Sequence, residues 1–498
     1  MKSFDLNSKS PKEILGIIAE IFETADADRN LKKLQTGLEI ANAIDLKDFD
    51  NHNKAILYYF IGNAWSYIQR IKFPNGEFPM EIDEVEKQIY HYRKAYGLIK
   101  EFDDDFITCQ ILTNIGNLFS HIGRFSEAQE YYILCLEIDE NFGMAIGNKG
   151  YDLFRYARVI FEPTHQFIFM QYARKYLKQS LMAKDVYIEA KNSFHELAKH
   201  IETAYPISYL NDFKEYKNYY KGLSIKETEY RKWCAENRLF INPLNDIFTK
   251  SVVSNDYLFL PNMIVKLNEK PICHSIFNQL KQEFVSSRYL FYESLFENKA
   301  HFSDKDVVLM DTLDYAVYSY SLEKVKIAFR ICYSLFDKIA YLINLYLNLG
   351  HEARRVNFRT IWYKNGDKNN GLKDELSTTQ NLALIGLFWL SKDIDEKKFD
   401  SPIEPEAKEI ATIRNYLEHK SFKIVESINP EWIEDPVIYE IERSMFYAKT
   451  LKILKLSRSA LMYLTFLIYY EESQRENKNG NKLVVPIDFT KIDDKEKL

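Results

Sequence analysis

PEAKEIATIRNYLEHKSFKI, residues 405–424, joins a helical pattern to side chains suited to phosphate chemistry. Pro402 and Pro405 suit a helix start, because proline fixes φ and its missing N–H costs nothing in a first turn. The helix is expected to run to about Lys420. Ile410, Ile413 and Leu417 follow the i, i+3, i+7 rule and make one apolar stripe, which must face the domain's own core. At about 3.6 residues per turn, Asn415 and His419 stack on the nearly opposite face. Arg414 lies between the two faces, on a stem long enough to swing its guanidinium toward the histidine. A fixed cation and a titratable imidazole therefore converge beside one polar amide.

Arginine forks onto phosphate, and histidine both takes and gives protons near neutral pH, so the pair suits RNA cleavage without a metal. RNYLEH, residues 414–419, resembles the Arg-x4-6-His motif of the HEPN superfamily, whose second position is typically polar, as Asn415 is. The resemblance covers about residues 271–476 and implies a helical bundle with the motif facing a partner subunit. It further implies a metal-independent endoribonuclease acting as a homodimer on RNA, with Arg414, Asn415 and His419 as catalytic residues and no cofactor. Its family context points to antiviral defence or a toxin system. Arg158 and His165 also fit the loose spacing, but Pro163 intervenes and the second position is not polar.

Working outward, 498 residues suffice for two or three domains with real cores. Only 16 Gly and 13 Pro, against 46% hydrophobic residues, argue for long helices rather than many short strands. The expected fold is all-α: a TPR-like helical solenoid at residues 1–236, an extended strap at 237–271, an HEPN-like bundle at 272–476 and a charged tail at 477–498. A net charge of −6 excludes a generally basic nucleic-acid coat protein, so RNA contact must be local. Five scattered cysteines without a C-x2-C pair read as reduced thiols in a cytoplasm. The N-terminus lacks an apolar signal core and the longest apolar run, residues 382–390, is too short to span a bilayer, so no membrane partner is expected.

The repeat assignment rests on residues 107–140. There Gly116, Phe119, Gly123, Phe125, Ala128 and Tyr132 sit where a tetratricopeptide repeat alternates small, large and turn residues, because a small residue on one helix accepts a bulky one from its neighbour. Gly150 follows Gly116 by 34 residues, the repeat's period, while Gly62 precedes it by 54 and requires an insertion. Glu140 stands where the consensus ends in proline, and Cys135 replaces a small alanine. Such an array offers a concave face for a protein or peptide ligand. Further on, Pro243, Pro261 and Pro271 among Asn and Asp residues mark the strap.

Within the C-terminal region, residues 316–348 contain neither Gly nor Pro and read as one helix, with Gly350 as its cap. Arg330, Ser334, Asp337, Tyr341 and Asn344 make a polar stripe on it, either solvated or lining a groove. In the groove reading Asp337 orients His419 and Arg330 adds positive charge. Residues 351–373 interleave Arg354, Arg355 and Arg359 with Phe358, Trp362 and Tyr363, a pattern that tracks a nucleic-acid backbone and stacks on a base, or else forms a solvated loop. A last helix, expected at 437–473, carries a basic edge of Lys449, Lys452, Lys455 and Arg458, of which Lys449 and Lys452 complete the RNA-contact set. His351-Glu352 begins like a zinc-protease motif, but Arg355 breaks it, so no metal is expected. The competing reading is a non-catalytic scaffold that binds a protein or nucleotide and dimerises.

Overall fold

The computed structural model describes residues 9–213, 220–265, 269–297, 299–394, 407–428, 437–478 and 491–497. These hold seventeen α-helices and two short strands. The N-terminal array comprises α1 (Pro11–Ala27), α2 (Leu31–Asn42), α3 (Asn51–Lys72), α4 (Asp83–Ile99), α5 (Asp105–His121), α6 (Phe125–Ile138), α7 (Gly143–Ala157), α8 (Pro163–Ser180), α9 (Ile188–Ala204), α10 (Ile207–Asn211) and α11 (Ile225–Glu236). The C-terminal bundle comprises α12 (Ile272–Leu295), α13 (Tyr320–Leu347), α14 (Asp374–Ser377), α15 (Leu382–Ser391), α16 (Ala407–His419) and α17 (Arg443–Lys478). Strands β1 (Ser421–Val425) and β2 (Ile438–Glu442) pair in parallel between α16 and α17.

The array is a run of helical hairpins whose close crossings are set by glycine. A Cβ on Gly62 of α3 would lie 2.5 Å from the Tyr92 ring of α4, and one on Gly116 of α5 would lie 2.6 Å from Tyr132 of α6. A Cβ on Gly150 of α7 would lie 2.9 Å from the α8 backbone at Ala173 and Leu177. The spacing that defines the repeat is thus the spacing of these contacts. The first pair, α1 and α2, packs with one face of α3 in a separate small core around Ile18, Phe22, Leu34, Leu38, Leu57 and Ile61. A capping box of Ser10 and Glu13 starts it.

Within the expected strap, residues 239–246 are buried as a wedge rather than extended. Two 3-10 turns, Pro243–Asp246 and Ser251–Val253, seat Asn245 and Asp246 out of solvent. Asp246 accepts from Ser126 Oγ at 3.0 Å, Tyr156 OH at 2.9 Å and Arg458 Nη1 at 2.7 Å. Arg458 also donates to the carbonyls of Phe240 and Asn242. One carboxylate therefore joins the array, the wedge and α17, and the same apolar core runs from the third helix to the last.

A second junction is made by backbone. Gly123, at φ +80°, lies so close to α15 that a Cβ on it would sit 1.9 Å from the Leu382 carbonyl. Below it, Arg93 forks onto Asp393 at 2.7 and 2.8 Å, and Arg124 reaches the same carboxylate at 2.5 Å. Burial opposes ionisation of Asp393, yet the two guanidiniums hold its carboxyl well below the usual range.

Boundaries differ from the sequence expectation in three places. The long helix begins at Tyr320, because Ala316 bridges Val425 and Val317 donates to Ile424, so the segment before α13 joins the small sheet. Its cap is Asn348 in the left-handed region (φ 54°), two residues before Gly350. The last helix starts at Arg443, since β2 takes the preceding residues. Pro402 and Pro405 lie outside the described residues.

Candidate functional site

Helix α16 presents its motif as the periodicity requires. Ile410, Ile413 and Leu417 are buried, Arg414 and Asn415 are half-buried, and His419 is exposed at the C-terminal end. Three contacts fix the helix. Lys449 Nζ of α17 lies 2.7 Å from Glu409 Oε2. Arg330 of α13 donates to the Leu417 carbonyl and stands 3.6 Å from Glu418 Oε1. Tyr416 packs on Tyr439 of β2, ring centroids 5.4 Å apart. Burial, and then the Glu409 carboxylate, push the Tyr439 phenol up to about 12, so it stays protonated and faces that carboxylate as a donor.

Arg414 lies over the Tyr333 ring at 5.6 Å and lines a cavity of about 160 Å³. Asp337 and Arg359 line the same cavity, with Phe358, Ser391 and Ile394. Two arginines from separate elements therefore face one small polar hollow beside the motif. Tyr333, Ser391 and Ile394 were not singled out from sequence; Tyr333 sits three residues after Arg330, one position off the polar stripe.

The other expected site residues are placed differently. Asp337 accepts from the Phe358 N–H at 2.9 Å, so it anchors the loop after α13. Asn344 likewise exchanges hydrogen bonds with the His351 backbone, at 3.0 and 3.1 Å. The polar stripe thus latches neighbouring segments onto α13, with Arg330 on the motif helix and Asp337 lining the hollow that Arg414 also lines. Arg354 and Arg355 are exposed and share Glu352 at 3.0 and 3.4 Å. Phe358, Trp362 and Tyr363 are core residues, corrected from base-stacking candidates. Lys449 is corrected too: it is buried against Glu409 and not offered to a phosphate. Lys452 and Lys455 face a cleft toward the N-terminal array, and Arg458 is wholly buried on Asp246. Arg158 and His165 fall on opposite sides of the α7–α8 turn.

The family model of the LA2681-like HEPN domain matches residues 264–471. This stretch is an LA2681-like HEPN domain. It contains all of α12 to α16 and the body of α17, so Arg414, Asn415 and His419 lie inside it. The HEPN domain is preceded by a repeat-like helical array, in an all-helical architecture apart from the β1–β2 pair. HEPN domains are often ribonucleases. Neither the curated proteins nor the solved structures gave a match to the chain. Among the described residues no helix is long and apolar enough to cross a membrane, and no group of three or more His, Cys, Asp or Glu is placed to hold a metal ion.

Proposed function

We propose that this HEPN domain is a metal-independent endoribonuclease, with Arg414, Asn415 and His419 as its catalytic residues. The observation that carries the reading is the exposure of His419 on the helix whose Arg414 shares a phosphate-sized hollow with Arg359. His419 takes the proton from an RNA 2′-OH as that oxygen bonds to the adjacent phosphorus. The 5′ oxygen leaves with a proton from the imidazolium of a second motif, so the products are a 2′,3′-cyclic phosphate and a 5′-OH. Arg414 neutralises the charge that grows on the phosphorane, a role for which a preorganised cation is worth several kcal/mol. Asn415 orients the imidazole or the phosphate. Arg359 extends the cationic track, with Arg354 and Arg355 at its outer end.

The second motif comes from a homodimer. Residues 307–315 carry Val308 at 90% exposure and Met310 at 83%, an apolar surface unusual for a free monomer. Asp314 holds this segment onto β1 through Lys423, a contact that lowers its carboxyl to about 2, and β1 leaves directly from the His419 end of α16. The apolar surface thus belongs to the same small sheet as the strand that follows the motif helix, and a partner covering it would bring in the second motif.

Such an activity needs restraint, which the TPR-like array would supply by binding a protein or peptide in an antiviral defence or toxin setting. Expression in a bacterial host tests the reading: the wild-type chain is expected to slow growth and His419→Ala to relieve it. Equal growth at equal soluble levels counts against it.

A further inference from the structure

Lys149 of α7 is a buried cation without a counterion. It is only 9% exposed, and among the described residues no carboxylate pairs with its ammonium and no oxygen accepts from it. Asp152, three residues on, accepts from Gln129 at 2.6 Å instead. The Lys149 Nζ lies 4.5 Å from the centroid of the Tyr176 ring on α8, and a ring face attracts a cation without neutralising it. Further cations gather where an acid would be expected. Lys175 Nζ of α8 stands 5.9 Å from the same ring and 5.5 Å from those of Tyr172 and Phe213. Arg238 follows α11 in a left-handed backbone conformation (φ 55°), and its Nε is buried with no hydrogen-bond partner. Among the described residues neither Lys175 nor Arg238 forms an ion pair. Burial, then Arg238, then Lys175 push the Lys149 ammonium down to about 8. Lys175 itself is exposed, so the cluster opens to solvent on that side.

We propose that Lys149, Lys175 and Arg238 bind a phosphoryl dianion, carried either by free phosphate or by a phosphate monoester. Three cations that repel one another and lack an acid destabilise the fold that gathers them, and an anion bound among them reverses that cost. Charge decides which anion. A carboxylate offsets one of the three cations, whereas a phosphoryl group carries about −1.5 to −2 at neutral pH and offers three strong acceptor oxygens. Arg238 supplies a planar fork for two of those oxygens, and the lysines supply point charges. The site belongs to the TPR-like array and the turn that follows it, and draws on no residue of the HEPN domain, so it is independent of RNA cleavage.

Calorimetric titration of the full-length protein with inorganic phosphate and with glycerol 3-phosphate, as separate arms at constant ionic strength, tests it against acetate. At least one of the two is expected to bind at least about tenfold more tightly than acetate. Tighter binding of the ester assigns a phosphorylated ligand, and tighter binding of inorganic phosphate assigns the free ion. Lys149→Met and Lys175→Ala are each expected to weaken that binding by about tenfold or more, and the exposure of Lys175 keeps its variant folded. In phosphate-free buffer Lys149→Met is expected to raise the midpoint of thermal unfolding, because it removes a buried charge that has no counterion. A lysine needed only for packing would lower it. Absence of phosphate binding in both arms, or binding no tighter than that of acetate, overturns the proposal. Binding that Lys149→Met and Lys175→Ala leave intact overturns it equally.

Discussion

Lys449 Nζ lies 2.7 Å from Glu409 Oε2, and this ion pair ties the longest helix of the protein to the first turns of the helix that carries Arg414 and His419. The lysine is buried while its partner is 28% exposed, so removing the lysine leaves a carboxylate that water reaches in part. Lys449→Ala is expected to lower stability by about 1–3 kcal/mol, below the full cost of an orphaned buried charge. Urea unfolding measures this. An RNA-contact role would instead leave stability unchanged and reduce the salt dependence of RNA binding.

The approach of Gly123 to α15 makes a sharper test of how the two halves join. A Cβ on Gly386 would lie 2.6 Å from the Gly123 carbonyl oxygen, and backbone cannot swing aside as a side chain can. Gly386→Ala is expected to cost about 1–3 kcal/mol through forced backbone shifts. Gly123→Ala is expected to cost more, because it adds a positive φ to a closer clash. Differential scanning calorimetry of the full chain reads both.

These contacts mark what sequence made legible and what it hid. The stripe of Ile410, Ile413 and Leu417 and the hairpin glycines Gly62, Gly116 and Gly150 were legible, since helical period and close crossing leave direct marks on residue type and spacing. Lys449 was not, because a lysine on a long helix reads as solvated until the acidic partner from another helix is in place. Phe358, Trp362 and Tyr363 looked like stacking groups for the arginines between them, but their rings fill the space under α15 and α13. The wedge misled most: proline, asparagine and aspartate signal a linker locally, whereas Asn245 and Asp246 use that same hydrogen-bonding capacity in the interior. The sheet beside the motif was hidden because its strands have five residues each and one of its pairings comes from residues 315–317, ahead of α13. Legibility of the site is uneven in the same way: the helix and its faces follow from period, whereas Asp337 is captured by the Phe358 N–H, a tertiary choice.

The contribution of Asp152 to stability should fall as pH rises from the ordinary carboxylate range to about 7. The residue is wholly buried on α7, accepts from Gln129 at 2.6 Å, and is pushed up to about 7 by loss of solvent. The folded chain therefore holds this proton more tightly than the unfolded chain, so the contribution is fully present below the ordinary carboxylate range and is lost as pH rises through about 7. Asp152→Asn keeps an acceptor for Gln129 without the ionisation. It is expected to flatten the decline between pH 5 and pH 8 by on the order of 1–3 kcal/mol in urea unfolding.

The apolar segment before α13 sets the oligomeric expectation. Met310→Asp or Val308→Asp places a charge on a surface that is solvent-exposed in one chain, so folding is unaffected while a partner surface is spoiled. Light scattering is expected to find the wild type as a dimer and either variant mostly as a monomer. RNA cleavage should fall with the dimer, since each groove needs the second motif.

Cleavage itself is the most direct measurement. Purified full-length protein is incubated in EDTA with labelled tRNA and mixed single-stranded RNA, alongside Arg414→Ala and His419→Ala variants of matched folding. The expected result is cutting by the wild type alone, leaving 2′,3′-cyclic phosphate and 5′-OH ends, with each variant slowed by at least about 100-fold. Cutting that persists in His419→Ala, or ends bearing a 5′ phosphate, would contradict the account.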